Sequence, residues 1–232
     1  MSESGQRTGL TVTVSDLRKT YHTPAADVIA LDGINWSVKA GEAVALMGPS
    51  GCGKTTLLNL VGGMDRPTGG KIQVGDQFVE TLTERQLEAY RLRQVGYIFQ
   101  FFNLIPSISA LENVELPQLL AGVGKEQRRE RALQLLETVG LKEKGFKRPE
   151  ELSGGEQQRV AICLALVNDA PLIIGDEPTG NLDSENRDRI IELLLGLARD
   201  EHKVVIVATH DPQVADAFAT AYRMRDGRFS EA

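Results

Sequence analysis

Ala43-Val-Ala-Leu-Met47, running directly into Gly48-Pro-Ser-Gly-Cys-Gly-Lys-Thr-Thr56, decides the fold. Five apolar residues without alternation read as a strand buried on both faces, the kind found in parallel sheets. Glycines fall at 48, 51 and 53, and Leu57-Leu-Asn-Leu-Val61 then continues as an apolar helix. Strand, glycine-rich turn, Lys-Thr and helix in that order form the context a phosphate loop requires. The glycines let backbone N–H groups turn inward around a β-phosphate, where the helix N-terminus adds its positive end. Lys54 reaches the β- and γ-phosphates as a point charge, and the Thr55 hydroxyl is placed for Mg2+. A glycine-rich turn that binds nothing would not need all of these parts together.

Working outward, Leu172 to Ile174 and Val204 to Ala208 are two more apolar runs that read as buried strands. Each of the three ends in a polar or glycine-rich turn, the pattern of a parallel sheet whose carboxyl edge carries the ligand site. Leu10–Val14, Ile34–Val38, Ile72–Val74 and Phe78-Val79 alternate instead, as strands of a half-exposed antiparallel part do. Between Thr83 and Asn168 the period turns helical. Thr83-Glu-Arg-Gln86 is a capping box, and Lys125–Val139 is amphipathic. The expected architecture is α/β: a phosphate-loop NTPase core with a mostly parallel sheet, an antiparallel β part, and a helical insert over about 101–165. One nucleotide-binding domain is expected over residues 1–232.

The composition agrees with a globular domain, with 41% hydrophobic and 25% charged residues. A net charge of −6 argues against a broad basic surface, so nucleic acid is not an expected partner, although local basic groups can still bind phosphates. Cys52 and Cys163, the two cysteines, have no metal-ligand spacing and suit a reducing compartment. No window approaches the ~18 apolar residues of a membrane span, and the N-terminus is polar. A cytoplasmic chain is expected, joined to any membrane through a partner.

Leu172-Ile-Ile-Gly-Asp176-Glu177-Pro178 ends a buried strand in two adjacent carboxylates, which is costly without cationic company. Asp176 is placed to hold Mg2+, leaving Glu177 to deprotonate an attacking water as general base. Leu152-Ser153-Gly154-Gly155-Glu156 is a second capping box, ahead of the apolar run Val160–Val167. Capping alone would not ask for two glycines in a first turn. Close approach of backbone to an anion would. One chain cannot easily bring this helix start and its own phosphate loop to one γ-phosphate, whereas a two-fold dimer with shared sites satisfies the geometry.

Ser153-Gly-Gly-Glu156 resembles the signature motif of ABC ATPases, and the other marks of that family follow in order. The resemblance implies ATP as the nucleotide and Mg2+ as its metal. ATP would be bound by Gly48, Ser50, Gly51, Cys52, Gly53, Lys54, Thr55 and Thr56. It implies adenine stacking on Tyr21, and binding in trans by Ser153, Gly154, Gly155, Glu156 and Asp183. Thr55, Gln100 and Asp176 would hold the metal. Glu177, His210, Gln100 and Lys54 would serve catalysis, with Gln100 also sensing a membrane domain and His210 acting as the switch at the γ-phosphate. Asp183 could equally be the cap of a helix from Ser184.

Phe101-Phe-Asn-Leu-Ile-Pro106, Ala110–Pro117 and Gly180-Asn-Leu-Asp183 resemble the lipoprotein-release and macrolide-export group. That likeness implies an ATP-dependent homodimer on the inner face of the cell membrane, powering a separate integral membrane permease. Phe101–Leu120 would form part of the groove for its coupling helix. A soluble mechanical ATPase would usually add a long coiled coil or a second ATPase half, and a small-molecule kinase would not explain Leu152–Glu156 or His210. A nucleotide-gated scaffold fits the same residues.

Three positions depart from the family pattern. Gly175 replaces a larger apolar residue and predicts a locally looser strand. Cys163-Leu164 replaces a small residue plus Arg, removing one positive charge. Cys52 stands where serine is common, which predicts a thiol open to oxidation beside the nucleotide.

Overall fold

The alternating and continuous apolar runs sort into two sheets. In the computed structural model, which describes residues 10–24 and 26–230, the chain begins β1 (Val12–His22), β2 (Asp27–Val38), β3 (Ala43–Met47), α1 (Lys54–Val61), β4 (Gly69–Val74) and β5 (Gln77–Phe78). It continues α2 (Glu84–Gln94), β6 (Val95–Ile98), α3 (Ala110–Leu120), α4 (Lys125–Thr138), α5 (Gly154–Leu166), β7 (Leu172–Asp176) and α6 (Ser184–Glu201). It closes with β8 (Val204–Thr209), α7 (Pro212–Asp216), β9 (Thr220–Arg225) and β10 (Arg228–Phe229).

The continuous runs form the six-stranded sheet, in the order β10-β9-β3-β8-β7-β6. Every pairing in it is parallel except β9 with β10. The alternating stretches form an antiparallel sheet in the order β2-β1-β4-β5. Between the sheets lies α1. Its Leu57, Leu58, Leu60 and Val61 share one core with Val12, Leu31 and Ile34 on one side and Leu46, Ile174 and Ile206 on the other. The opposite face of the parallel sheet, through Ala45, Ile173, Val205 and Val207, is covered by apolar residues of α3, α5 and α6. Each fully buried Leu or Ile is worth ~1.5–3 kcal/mol. The phosphate loop thus emerges from a strand held by core on both faces.

Three features differ from the expectation. β6 interrupts the stretch read as helical. Its four residues are all buried, and Gly96 lies so close to α5 that a Cβ there would meet the Ala165 carbonyl oxygen at 2.3 Å. So short a buried run has no period of its own to separate strand from helix. β9 and β10 were not expected, because Thr220–Arg225 is mostly exposed and carries two arginines. They add an edge to the sheet through β3. β1 and β2 run well beyond the alternating segments, with register shifts after Val14, Leu17 and Lys19 that break the period of two. The helical insert itself is present as α3, α4 and α5. Cys163 lies inside it, fully buried, and burial pushes its thiol up to about 12.

Candidate functional site

A strand end, a turn and a helix start bring the phosphate loop to the carboxyl edge of the parallel sheet. Gly53 sits at φ 108, and a Cβ there would stand 2.6 Å from the Ala30 carbonyl oxygen. At Gly48 a Cβ would stand 2.3 Å from the Met224 carbonyl oxygen. The glycines are therefore required by the backbones of β2 and β9 crowding the loop. No side chain caps α1, so its first N–H groups keep the anion-binding character of a helix N-terminus. Lys54 is buried, and its ammonium donates to the Gly48 carbonyl at 2.6 Å and the Pro49 carbonyl at 3.1 Å. The loop holds its own lysine in place.

Cys52 overturns one expectation. Its thiol is buried, with Sγ 3.9 Å from the Lys54 ammonium and directly beneath Gly48. It faces the core rather than the cleft, so it is not exposed to oxidation there.

Asp176 ends β7 with its side chain buried. Burial pushes its carboxyl above the usual range, and the Glu177 charge adds to this, while the Thr55 hydroxyl and the Lys54 ammonium oppose it. Glu177 follows in the left-handed region at φ 49. For a non-glycine residue this costs on the order of 1–3 kcal/mol. Its N–H donates to the Ala208 carbonyl at 2.9 Å, extending the ladder to β8. Its carboxylate lies 2.7 Å from His210 Nδ1 through one oxygen and accepts from the Thr209 hydroxyl at 3.3 Å through the other.

Gly175 corrects a second expectation. The strand is not loose there, since Gly175 pairs with Ile98 on one side and Val207 on the other. A Cβ would meet the Pro178 ring at 3.0 Å, so the glycine makes room for the Glu-Pro turn folding back over β7.

Ser50, Gly51, Gly53, Lys54, Thr55, Thr56, Gln100, Asp176, Glu177 and His210 line one open cleft of about 600 Å³. Val28 and Ile29 of β2 also line it and are well exposed. Reading strands from alternation alone missed both. Gly48 and Cys52 support the loop from beneath.

Tyr21 stands outside that lining, at the end of β1. Its hydroxyl donates to Asp65 at 2.9 Å, and the Lys19 ammonium sits 4.7 Å from its ring centroid while pairing with Asp65 at 2.7 Å. Burial and the Asp65 bond push its phenol up, against the Thr56 hydroxyl. Asp65, just past the end of α1, had no motif to single it out.

The signature segment is held apart from the cleft. Ser153, Gly154, Gly155, Glu156 and Asp183 are absent from the cleft lining. Ser153 caps α5 in a complete capping box, and Asp183 caps α6 by accepting the Asn186 N–H at 2.9 Å. Gly155 packs against Asn181 and Leu182, so the two candidate segments adjoin each other outside the cleft lining.

A strand–loop–helix phosphate site, two carboxylates at a neighbouring strand end and a glycine-rich capped helix outside the cleft define a phosphate-loop ATP-binding cassette. The chain belongs to the ABC transporter family, whose model, described as ABC transporter, matches residues 31–180. It is 44% identical over 215 residues to the lipoprotein-releasing system ATP-binding protein LolD of Chromohalobacter salexigens, with 93% of this chain and 91% of the relative covered. It is 46% identical over 218 residues to the macrolide export ATP-binding/permease protein MacB of Syntrophobacter fumaroxidans, covering 93% of this chain and 30% of that longer protein. Among solved structures, the dimeric ATP-binding cassette MJ0796 bound to ADP and Pi matches with a TM-score of 0.91 and 40% identity, covering 95% of this chain and 97% of that one. The resemblance to the lipoprotein-release and macrolide-export group therefore holds. Among the described residues, no helix is long and apolar enough to cross a membrane.

Proposed function

We propose that this chain is the ATP-hydrolysing subunit of a membrane machine. In this reading residues 1–232 act as one nucleotide-binding domain that pairs with a second copy on ATP and drives a separate permease from the inner face of the membrane. The observation that carries the reading is the convergence of Lys54, Thr55, Gln100, Asp176, Glu177 and His210 on one cleft at the carboxyl edge of the parallel sheet. Kinship with exporter subunits favours an exporter or mechanical membrane complex over a scaffold.

The loop amides and Lys54 hold the β- and γ-phosphates, and Tyr21 offers its ring to adenine. Thr55, Asp176 and Gln100 supply hard oxygen donors that fit Mg2+. The raised carboxyl of Asp176 marks a buried charge still short of cationic company. When bound, Mg2+ would neutralise developing charge on the phosphates. Glu177, with its carboxylate aimed by His210 and Thr209, takes the proton of the attacking water. His210, on an exposed ring, is free to turn towards a γ-phosphate oxygen. Gln100, on the segment leading to the exposed Phe101 and Ile105, relays nucleotide state to the permease.

Glu177→Gln tests the reading. It should keep ATP binding and cut turnover of the purified chain by roughly 10²-fold or more. Near-normal steady-state hydrolysis would refute the role.

A further inference from the structure

Glu156 presents an electrostatic difficulty that the free chain already resolves. In the proposed dimer the first turn of α5 faces the triphosphate held by the partner copy. Ser153 and Gly154 are exposed there, and only the Phe102 ring comes within 4 Å of a Cβ built on Gly154. The Ser153 hydroxyl accepts the Glu156 N–H at 3.3 Å, which leaves its proton available to an outside acceptor. A carboxylate in that turn suits the helix dipole but opposes a phosphate. Protonation does not remove the charge, because the Lys144 ammonium and the Ser153 N–H hold the Glu156 carboxyl below its usual range.

Both carboxylate oxygens are committed. One accepts the Ser153 N–H at 2.9 Å, and the other accepts from Lys144. Glu156 is mostly buried, whereas the Lys144 side chain is 43% exposed. Exposed lysine pairs commonly contribute little, but this lysine is delivered by anchored backbone. Lys144 closes the 3-10 turn Lys142–Lys144. The next residue, Gly145, accepts the Leu111 N–H at 2.8 Å, and Lys147 accepts the Ala110 N–H at 2.8 Å. The start of α3 therefore fixes where the ammonium stands.

We propose that Lys144 is a positioning residue of the composite site: its ion pair with Glu156 lets a carboxylate occupy the signature turn against the triphosphate of a second copy of this chain. The inference rests on the trans-site reading above. Lys144 cancels the charge of Glu156 and holds its side chain back along the helix start, so the turn presents the Ser153 hydroxyl and backbone N–H groups to the anion. Without Lys144 the same turn presents an uncompensated negative charge.

The experiment measures the ATP concentration that half-dimerises the chain by sedimentation, in a Glu177→Gln background where ATP is retained. Lys144→Met should raise that concentration roughly 5- to 20-fold, since like charges brought together across an interface are strongly unfavourable. Lys144→Arg should behave as the parent. Adding Glu156→Gln to Lys144→Met should bring the requirement to within about 2-fold of Glu156→Gln alone, because the amide no longer needs a cation. ADP affinity of the monomer should not change, as Lys144 lies outside the cleft lining. A parent-like Lys144→Met, or a double variant as impaired as Lys144→Met, overturns the proposal. Gly154→Asp is measured alongside. If it dimerises like the parent, the trans reading itself fails and the proposal falls with it. If it is blocked while Lys144→Met is normal, only the proposal fails. Thermal unfolding accompanies each variant, and should Lys144→Met not fold, Lys144→Gln replaces it with the same expected rescue.

Discussion

Glu177 pays at the backbone for where its carboxylate stands. Its left-handed φ of 49 and its ladder bond to Ala208 send the side chain across to Thr209 and His210 instead of along the strand. Asp176 makes a parallel compromise through burial. A carboxyl raised in the folded state disfavours its own charged form, so the free chain loses stability as pH rises through the carboxyl range. Asp176→Asn should therefore raise the nucleotide-free melting temperature, by about 2–4 °C per kcal/mol recovered, and flatten its pH dependence in that range. The same variant should lose Mg2+-dependent hydrolysis. Calorimetry across pH checks this, and an unchanged or lower melting temperature would count against the charge argument. Tyr21 is a simpler case, because stacking needs a π face more than hydrogen bonds. Tyr21→Phe should bind ATP nearly normally, Tyr21→Ala several-fold more weakly, and discrimination against GTP should be modest. Equal ATP affinity of the Ala variant and the parent would refute adenine stacking. At this scale the motifs in the sequence led to the residues that line the cleft, Lys54, Thr55, Asp176, Glu177 and His210, while the surroundings of Cys52 and Gly175 inside those motifs were misjudged. Asp65, Lys144 and Val28 were not legible. Asp65 meets Tyr21 and Lys19, Lys144 meets Glu156, and Val28 meets the cleft only once the chain has folded, and no local pattern announces those contacts.

The segment after Gln100 divides element by element into core and surface. Leu104 packs against the core of the helical insert, whereas Phe101 is 77% exposed and Leu120 69% exposed. A charge at Leu104 would therefore test packing as much as partner binding. Phe101→Asp should leave the fold and ATP binding of the isolated chain unchanged while weakening co-purification with the membrane subunit. Loss of melting temperature in that variant would place Phe101 in packing instead. β7 yields a second test. Gly175→Ala pushes a methyl against the Pro178 ring at 3.0 Å, and such overpacking costs typically 1–3 kcal/mol. Because Pro178 directly follows Glu177, the proposed general base, turnover should fall beyond what the melting temperature explains, with ATP affinity largely kept. α4 was legible from its period and length, β3 from an apolar run leading straight into a glycine-rich turn, and α2 and α5 from the capping boxes at Thr83 and Ser153. β6 was hidden because four buried residues carry no period. β9 and β10 were hidden because an exposed edge with charged side chains lacks a hydrophobic signal.

Across the whole molecule, the phosphate cleft and the signature turn are separate places on one chain. Ser153, Gly154 and Asp183 contribute nothing to the cleft that holds Lys54. A site needing both is incomplete in a monomer, and a two-fold pair completes two sites at once. On the proposed reading, Lys54→Ala removes a phosphate contact, and Gly154→Asp sets a side chain and a negative charge against the γ-phosphate. Either change alone should disable both sites of a homodimer. Mixing the two variants should restore one intact site per mixed dimer, built from the good loop of one copy and the good signature turn of the other. With random pairing and independent sites, half the dimers are mixed and each has one live site, so recovery reaches at most about one quarter of the parent rate. Coupled sites would give less, so the firm expectation is that the mixture exceeds both variants measured separately. A chain carrying both changes, mixed with the parent, leaves no intact site in the mixed dimers and serves as the control. Efficient hydrolysis by a demonstrably monomeric preparation would rule out the shared site, because the Ser153 turn would then have no triphosphate to meet.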